Sequence, residues 1–309
     1  MSIRLRRFNF ALAITLVLEG AVSASGQSQT VASSEIGSLT PSSGLNVVPV
    51  FDGWEKNADG SFNIVFAYFN RNYDEAVEIP IGPNNSIEPG GPDRGQPTHF
   101  YPRRNRYLFR VRVPKDWGNK DVVWTLTSRG KTEKAYGSLL PVQLINPEVI
   151  GSNFTGTTSF DEANKPPTIP LQGEPARQAR VGEPLAVSVV AIDDEVTTKG
   201  KKAAPQSRPP GRRSAMGLRV SWIVYRGGPG TVSFDPVQAL TYSDPRSDLS
   251  PWTPGWMPPP LPADGRIETR ATFSAPGTYV LRAVASDGWA EDFKDVTVTV
   301  LPGNSGPRR

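Results

Sequence analysis

Four acidic residues at two separate places in the chain could together bind a metal ion. Asp193, Asp194 and Glu195 follow one alternating apolar segment, and Asp287 lies in the turn between two others. In a β-sandwich of the expected topology these two places lie at the same end, so their carboxylates should approach one another. Ca²⁺ binds several oxygen ligands in irregular geometry, which such a cluster could supply. The plainer alternative is that Asp287 only stabilises a turn and that nearby basic residues neutralise the acids.

A proline-rich segment carries two tryptophans that could bind a ligand. Ser250–Pro262 contains six prolines, which favour an extended conformation, together with Trp252 and Trp256. Exposed indole rings could stack on sugar rings or fill a groove in a protein partner. The same rings could instead seal this segment onto a sandwich, because large aromatic side chains are usually packed.

A second long segment contains the only histidine. Gly82–Arg104 has five prolines and four glycines, and His99 lies there close to Tyr101. Segments of this length without regular structure are usually functional or disordered. We therefore treat His99 and Tyr101 as candidate ligand-binding residues. The alternative is a proline-stiffened cover over one end of a sandwich.

The residues needed for most catalytic chemistry are missing. A single histidine excludes two-histidine metal sites, and the absence of cysteine excludes thiolate chemistry. Neither a Gly-x-Ser-x-Gly elbow nor a phosphate-binding glycine loop occurs. A pair of carboxylates, as in glycosidases, is possible because their spacing is spatial. We predict no enzyme activity and no cofactor, with a carbohydrate-acting enzyme or its accessory module as the alternative.

The elements that must position these residues are β-strands. Six short alternating segments occur in the first half of the chain: Val47–Trp54, Phe62–Phe69, Ala76–Ile81, Tyr107–Val113, Val122–Thr127 and Thr132–Leu139. Apolar side chains share one face of several segments, for example Phe62, Ile64, Phe66 and Tyr68, or Tyr107, Phe109, Val111 and Val113. Turn residues separate the segments, and helical periodicity is absent. This pattern predicts an antiparallel sandwich of about 100 residues.

Alternating segments return in the second half. They contain Leu185 to Ala191, Leu218 to Val224, Ile267 to Phe273, Tyr279 to Ala285 and Val296 to Val300. Trp222 has the position of the tryptophan that fills an immunoglobulin-like core. Tyr279 follows a Pro-Gly turn, where such a core places a tyrosine whose hydroxyl bonds back to the preceding corner. A second sandwich of immunoglobulin type is therefore predicted.

Two family resemblances agree with this pattern. The motifs AIDDE, LRVSWIVYRGGPGTVSF, ATFSAPGTYVLRAVASDG and DVTVTV resemble the PKD-like immunoglobulin repeat of exported bacterial proteins, over about residues 166–301. That resemblance implies adhesion, spacing or carbohydrate association. Segments Thr197–Met216 and Asp235–Gly265 are longer than its pattern. FAYFNRNYDEAVEIPIGPNN, EPGGPDRGQPTHFYPRR and WTLTSRGKTEKAYGSL, within residues 47–142, resemble a group of uncharacterised exported bacterial proteins, which implies no activity.

The N-terminus predicts export. Arg4, Arg6 and Arg7 precede an apolar run from Phe8 to Leu18, and small residues before Ser25 suit a cleavage site after residue 24. The run is too short to span a bilayer, so no transmembrane segment is expected. Formal net charge is +4, and removing three arginines and one glutamate leaves +2. We expect a periplasmic or extracellular location.

The basic segment Lys199–Arg213 accounts for much of the positive charge. It lacks interleaved aromatic residues for base stacking, and an exported protein rarely meets nucleic acid, so we predict no nucleic-acid partner. A solvated loop is the simpler interpretation, and contact with acidic surface polymers is the alternative.

Together these observations predict an all-β protein of two tandem immunoglobulin-like antiparallel sandwiches. The predicted organisation is a signal peptide (1–24), a disordered leader (25–46), a first sandwich (47–145), a linker (146–180), a second sandwich (181–302) and a tail (303–309). The predicted function is non-catalytic, as an exported binding or spacer protein. Its expected partner is a glycan, an envelope polymer or another protein.

Overall fold

The chain folds into two β-sandwiches, as the alternating pattern predicted. The computed structural model describes residues 42–154, 161–198, 201–202, 218–238 and 261–303. The first sandwich contains β1 Val47–Lys56, β2 Phe62–Asn70, β3 Val77–Glu78, β4 Asn85–Glu88, β5 His99–Phe100, β6 Arg103–Val113, β7 Val122–Ser128 and β8 Lys131–Gly137. The second contains β9 Ala176–Arg180, β10 Leu185–Val190, β11 Val196–Thr198, β12 Lys201–Lys202, β13 Arg219–Arg226, β14 Val232–Asp235, β15 Arg266–Phe273, β16 Gly277–Ser286 and β17 Glu291–Leu301.

Two three-stranded antiparallel sheets enclose the core of the first sandwich. Their strand orders are β1-β2-β6 and β4-β7-β8, and β3 pairs with β5 at one end. Trp124 is fully buried at the centre and meets the rings of Phe66 and Phe109 edge on, with centroids 5.9 and 4.9 Å away. Alternation of apolar side chains along β2 and β7 places their inward faces in this core.

The second sandwich has the immunoglobulin-like arrangement. Its sheets have the orders β10-β15-β14 and β13-β16-β17-β9, and all pairs are antiparallel except β9 with β17. Trp222 is fully buried between the sheets. The Tyr279 hydroxyl donates to the Ala275 carbonyl at 2.9 Å and accepts from the Gly230 amide at 3.2 Å, so the predicted tyrosine corner is present.

One face prediction was wrong. Tyr107 was expected to share a face with Phe109, yet it packs on the opposite side of the sheet with Val65, Ile145 and Ile150. The cause is a bulge in β6, where the register to β2 shifts and Tyr107 adopts a positive φ of 50°. A bulge inserts residues into one strand and turns the following side chains to the other face.

The segment predicted as a linker begins with a helix that the sequence pattern did not predict, α1, Pro147–Phe154. Asn146 caps it, because its Oδ1 accepts the Val149 amide at 2.9 Å, and Pro147 and Glu148 suit its first turn. The helix contributes Ile150 to the cluster around Tyr107 and so covers the outer face of the β1-β2-β6 sheet. No helix in the described part of the chain is long and apolar enough to cross a membrane.

Candidate functional site

The structure brings Asp193 and Asp287 together at one end of the second sandwich. Asp287 is fully buried in the turn between β16 and β17. Its Oδ1 accepts the amides of Trp289 and Ala290, each at 2.7 Å, and its Oδ2 accepts from the Asn164 amide group at 3.0 Å. This carboxylate therefore organises the turn, as its position before a glycine predicted.

The Asp193 carboxylate has fewer hydrogen-bond partners than that of Asp287. Its Oδ2 accepts the Glu195 amide at 3.3 Å, whereas its Oδ1 is buried with no hydrogen-bond partner among the described residues. Burial, followed by the negative charge of Asp287, raises the pKa of Asp193 to about 6. Asn164 Oδ1 is likewise buried without a described partner. Sequence reasoning did not select Asn164, which reaches Asp287 from the segment before the second sandwich.

Asp194 and Glu195 take other roles in the same loop. Asp194 accepts the Lys165 amide at 2.9 Å and the Val196 amide at 3.0 Å, which fixes the backbone before β11. Glu195 is exposed and has a positive φ of 60°. Within the described ranges, no group of three or more His, Asp or Glu side chains is arranged to hold a metal ion. A Ca²⁺ role for these acids therefore stays a prediction.

His99 and Tyr101 lie between the two sandwiches. His99 Nδ1 pairs with the Glu78 carboxylate, and its ring meets the Tyr101 ring edge on with centroids 4.4 Å apart. The Tyr101 hydroxyl accepts the Val224 amide at 2.9 Å, and its ring packs against the core of the second sandwich. Burial raises the pKa of Tyr101 well above its usual range. Tyr101 thus joins the sandwiches and His99 packs beside it, and the ligand role of both stays a prediction.

The long segment that contains them binds strand β13 of the second sandwich. The Thr98 amide donates to the Tyr225 carbonyl at 3.2 Å, and the Gly227 amide donates to Thr98 Oγ1 at 3.0 Å. Arg226 forms a two-pronged ion pair with Asp93, at 2.7 and 3.0 Å. The segment is therefore a structural clasp between the sandwiches, whereas the alternative stated from the sequence was a cover over one end of a single sandwich.

Arg282 is the central residue of this contact. Its guanidinium carbon lies 3.3 Å from the centroid of the Tyr225 ring, and Nη1 donates to the Leu108 carbonyl of the first sandwich at 3.1 Å. Asp295 accepts from Nε and Nη2 at 2.7 and 2.8 Å. Although Tyr225 belongs to the second sandwich, its side chain is part of the core of the first. Burial raises the pKa of Tyr225 to about 12.

Helix α1 makes a second contact between the sandwiches. A Cβ at Gly151 would overlap the indole ring of Trp289, so the helix backbone lies directly against this fully buried tryptophan. Asn153 donates to the Tyr107 hydroxyl at 2.9 Å. Arg110 of the first sandwich lies over the Phe293 ring at 5.7 Å. We call these contacts, together with the clasp and Arg282, the joint.

The other predicted sites fall largely outside the described residues. Trp252 and Trp256 are outside them, as is most of the basic segment Lys199–Arg213. Of that segment the structure describes only Lys201 and Lys202, as strand β12 paired with β11. The ligand role of the two tryptophans therefore stays a prediction.

Comparison with known proteins finds likenesses to solved structures only, all of them at low identity. No protein-family model matches the chain, and no curated protein matches it. Among solved structures the chain is similar to the complex of titin M10 with an obscurin-like 1 immunoglobulin domain mutant, at 19% identity, 46% coverage of this chain, 99% of that chain and a TM-score of 0.23. It is also similar to sidekick-1 immunoglobulin domains 1–4, at 11% identity, 82% coverage of this chain and a TM-score of 0.23.

A bacterial surface-layer protein gives a further likeness of the same kind. Domains 4 and 5 of the S-layer protein SbsC are 11% identical, with 59% of this chain covered, 66% of that chain and a TM-score of 0.23. This chain spans about half the length of the sidekick-1 fragment, 47%. At such identities and TM-scores these likenesses carry no argument about function. The sheet order of the second sandwich, the buried Trp222 and the tyrosine corner define an all-β protein of the immunoglobulin-like class, and its PKD-like character stays a prediction.

Proposed function

We propose that this protein is an exported, non-catalytic module in which two immunoglobulin-like sandwiches act as one rigid unit. The observation that supports this proposal is the joint between the two sandwiches. Hydrogen bonds from Thr98, Gly227 and Arg282 and the ion pair of Arg226 all cross between the sandwiches. A flexible tether between independent domains needs no such contacts, whereas a spacer or a presenting platform does.

The described side chains do not favour catalysis. The imidazole of His99 is paired with Glu78 and lies against Tyr101. Of the four acids predicted as a metal site, Asp193 and Asp287 lie close together, but Asp287 is fully buried and both of its oxygens accept hydrogen bonds. A general acid or nucleophile must reach a substrate, so this pair fits a structural role.

The proposed ligand is a carbohydrate or a cell-envelope polymer, bound through Trp252 and Trp256. The supporting observation is composition: two indoles occur in a segment of six prolines, and proline-rich sequences in general lose little conformational entropy on binding. Replacing both by alanine should lower retention on the recognised glycan at least about tenfold, since stacked aromatic anchors dominate such contacts. Retention is measured on an array of glycans and envelope polymers.

The matched control for this experiment is Trp117→Ala. Trp117 is a half-buried tryptophan in the turn before β7, where its Nε1 donates to the Lys120 carbonyl. The Trp117→Ala variant should leave retention of the protein on the array unchanged. Wild-type protein that is retained on no member of the array would reject the ligand proposal and leave the spacer role. Loss of folding in the double variant would assign the tryptophans to packing.

A proton or a cation can relieve the repulsion between Asp193 and Asp287. Because the folded-state pKa of Asp193 is raised to about 6, from 3.8, the protonated form is favoured by folding and stability falls as pH rises through this interval. Asp193→Asn should therefore raise the free energy of unfolding at pH 7.5 by about 1 kcal/mol, a figure reduced for partial solvent access. Thermal and urea unfolding at pH 4 and pH 7.5 measure the effect.

Ca²⁺ would act at the same two residues, Asp193 and Asp287. If the acids bind it, millimolar Ca²⁺ should raise the melting temperature of the wild type at pH 7.5 and leave Asp193→Asn unchanged. Asp264→Asn, which changes an exposed turn aspartate beside β15, is the charge-matched control. Equal melting curves in chelator and in millimolar Ca²⁺ would reject the metal and leave protonation as the explanation.

A further inference from the structure

Glu291 begins strand β17 two residues before Phe293, so it lies on the strand face that contacts Arg110 of the first sandwich. Its charge interacts with Arg110 and Glu55 of the first sandwich, with Asp52 beyond them, and with Asp287 of its own hairpin. The Tyr107 hydroxyl also lies within the influence of this charge. The carboxyl group is half-buried, and no hydrogen bond or ion pair joins it to any residue that the structure describes.

Two nearby arginines already have carboxylate partners. Arg110 donates to both oxygens of Glu55, at 2.8 and 2.9 Å. Arg104 pairs with Asp52, whose second oxygen accepts the Tyr107 amide at 2.9 Å. A third arginine, Arg106, is exposed, and its charge acts on Asp52 and Tyr107. Glu291 is therefore an acid without an ion pair of its own among the described residues.

The other two arginines of the joint are also paired with acids. Arg226 is paired with Asp93. Arg282 is held by Asp295 through two hydrogen bonds and stacked on Tyr225. Its guanidinium carbon lies 5.2 Å from the Phe293 ring centroid, so Phe293 lies close to this arginine as well as to Arg110.

The packing around Glu291 leaves little freedom to hydrate it. Trp289 is fully buried two residues earlier, with the backbone of Gly151 against its ring. Phe293, two residues later, lies under Arg110 at 5.7 Å. Ionising Glu291 in the closed joint therefore has a desolvation cost that Arg110, already paired with Glu55, offsets only in part, and opening the contact relieves that cost.

We propose that Glu291 makes the joint pH-sensitive: the two sandwiches are locked while its carboxyl group is protonated and separate more readily once it ionises. The inference concerns the joint alone, and it holds whether or not the tryptophan-bearing segment binds a glycan. A module of this kind would be rigid in acidic surroundings and more mobile in neutral or alkaline ones.

The direction of the pH dependence follows from the linkage between protonation of Glu291 and closure of the joint. Desolvation, with smaller contributions from Glu55, Asp287 and Asp52, raises the pKa of Glu291 to about 7 against the opposing effect of Arg110. In an open joint the group regains solvent and its ordinary value of 4.5. The closed state is thus favoured most below pH 4.5, and this preference is lost as pH rises to about 7. The opening constant rises by up to about tenfold per pH unit in that interval.

Amide hydrogen exchange at Thr98 and Gly227 reports directly on opening, because both amides donate across the joint. Protection factors, corrected for the intrinsic pH dependence of exchange, should fall at least about tenfold in the wild type between pH 5 and pH 8. Glu291→Gln should remain protected at both pH values, since a neutral amide cannot ionise. Small-angle scattering should show a larger maximum dimension for the wild type at pH 8 only.

Two variants serve as controls. Glu183→Gln removes an exposed glutamate in the turn before β10 and should keep the wild-type pH dependence. Asp193→Asn tests the other raised carboxyl group that interacts with Asp287, and it should also keep the fall in protection. Protection that is independent of pH in the wild type, or that falls equally in Glu291→Gln, would overturn the proposal.

Titration of Glu291 in the wild type tests the proposal even if Glu291→Gln fails to fold. The side-chain carboxyl carbon of Glu291 in the wild type, followed by NMR, should titrate near pH 7. A midpoint between pH 4 and 5 would overturn the inference without any substitution.

Discussion

Replacing Arg282 by methionine should lower the free energy of unfolding by about 2–4 kcal/mol and separate the two sandwiches. The variant loses the stack on Tyr225 and the hydrogen bond to the Leu108 carbonyl. A desolvated cation–π contact contributes about 2 kcal/mol, and a hydrogen bond from a charged donor contributes about 1.5–3 kcal/mol. The ion pair with Asp295 adds little, because that carboxylate is 42% exposed.

Urea unfolding and small-angle scattering check this expectation. Arg282→Lys should lose most of the stabilisation as well, because an ammonium group can neither stack as a plane nor bond Asp295 and Leu108 together. Arg266→Met removes an exposed arginine paired with Glu268 and should change stability by less than about 1 kcal/mol. Wild-type stability and dimensions in Arg282→Met would show that the joint does not depend on this residue.

The two cores were predictable from the sequence because apolar alternation is a local signal. The inward positions of β13 and β16, including Trp222, Tyr279 and Leu281, lie in the core as expected. The tyrosine corner also follows from one local motif, a Pro-Gly turn followed by Tyr279. Each of these inferences needs only the strand period and a known turn geometry.

The joint was not predicted, because it depends on side chains that a strand pattern assigns to solvent. Ile223 and Tyr225 face away from the second core, yet they are only 9% and 3% exposed. Two large apolar residues on an outward face were a signal that something covers it. Arg282 gave no such signal, since an arginine on a mixed face is ordinary and its partner, the Leu108 carbonyl, is 174 residues away.

The sequence contains a start signal for helix α1, but the loop-like composition around it made the helix hard to predict. Asn146, Pro147 and Glu148 are a cap, a first-position proline and an acidic first turn. The helix has only eight residues, so its apolar period is too short to recognise. The approach of Asp193 to Asp287 was inferred from topology. The hydrogen-bond partners of their carboxylate oxygens were not, because they include Asn164 and turn amides that no sequence pattern specifies.

Tyr225→Ala should destabilise both sandwiches together. The ring is 3% exposed, belongs to the core of the first sandwich and supports the Arg282 guanidinium from the second. Truncating a buried aromatic residue to alanine costs about 3–5 kcal/mol. The loss of the base of the Arg282 stack adds to this, because the guanidinium then remains buried beside a cavity.

Calorimetry and near-ultraviolet circular dichroism distinguish two outcomes. If the joint makes the sandwiches one cooperative unit, the wild type unfolds in a single transition, and Tyr225→Ala either lowers that transition or splits it in two. Tyr225→Phe keeps the ring and loses the hydroxyl's bonds to the Gly95 carbonyl and to Arg282, so it should retain most of the stability. Tyr136→Ala removes a tyrosine that is 56% exposed and should be nearly neutral. Two separate transitions already in the wild type would mean that the sandwiches are thermodynamically independent, because cooperative unfolding requires the contacts of the joint to stabilise both.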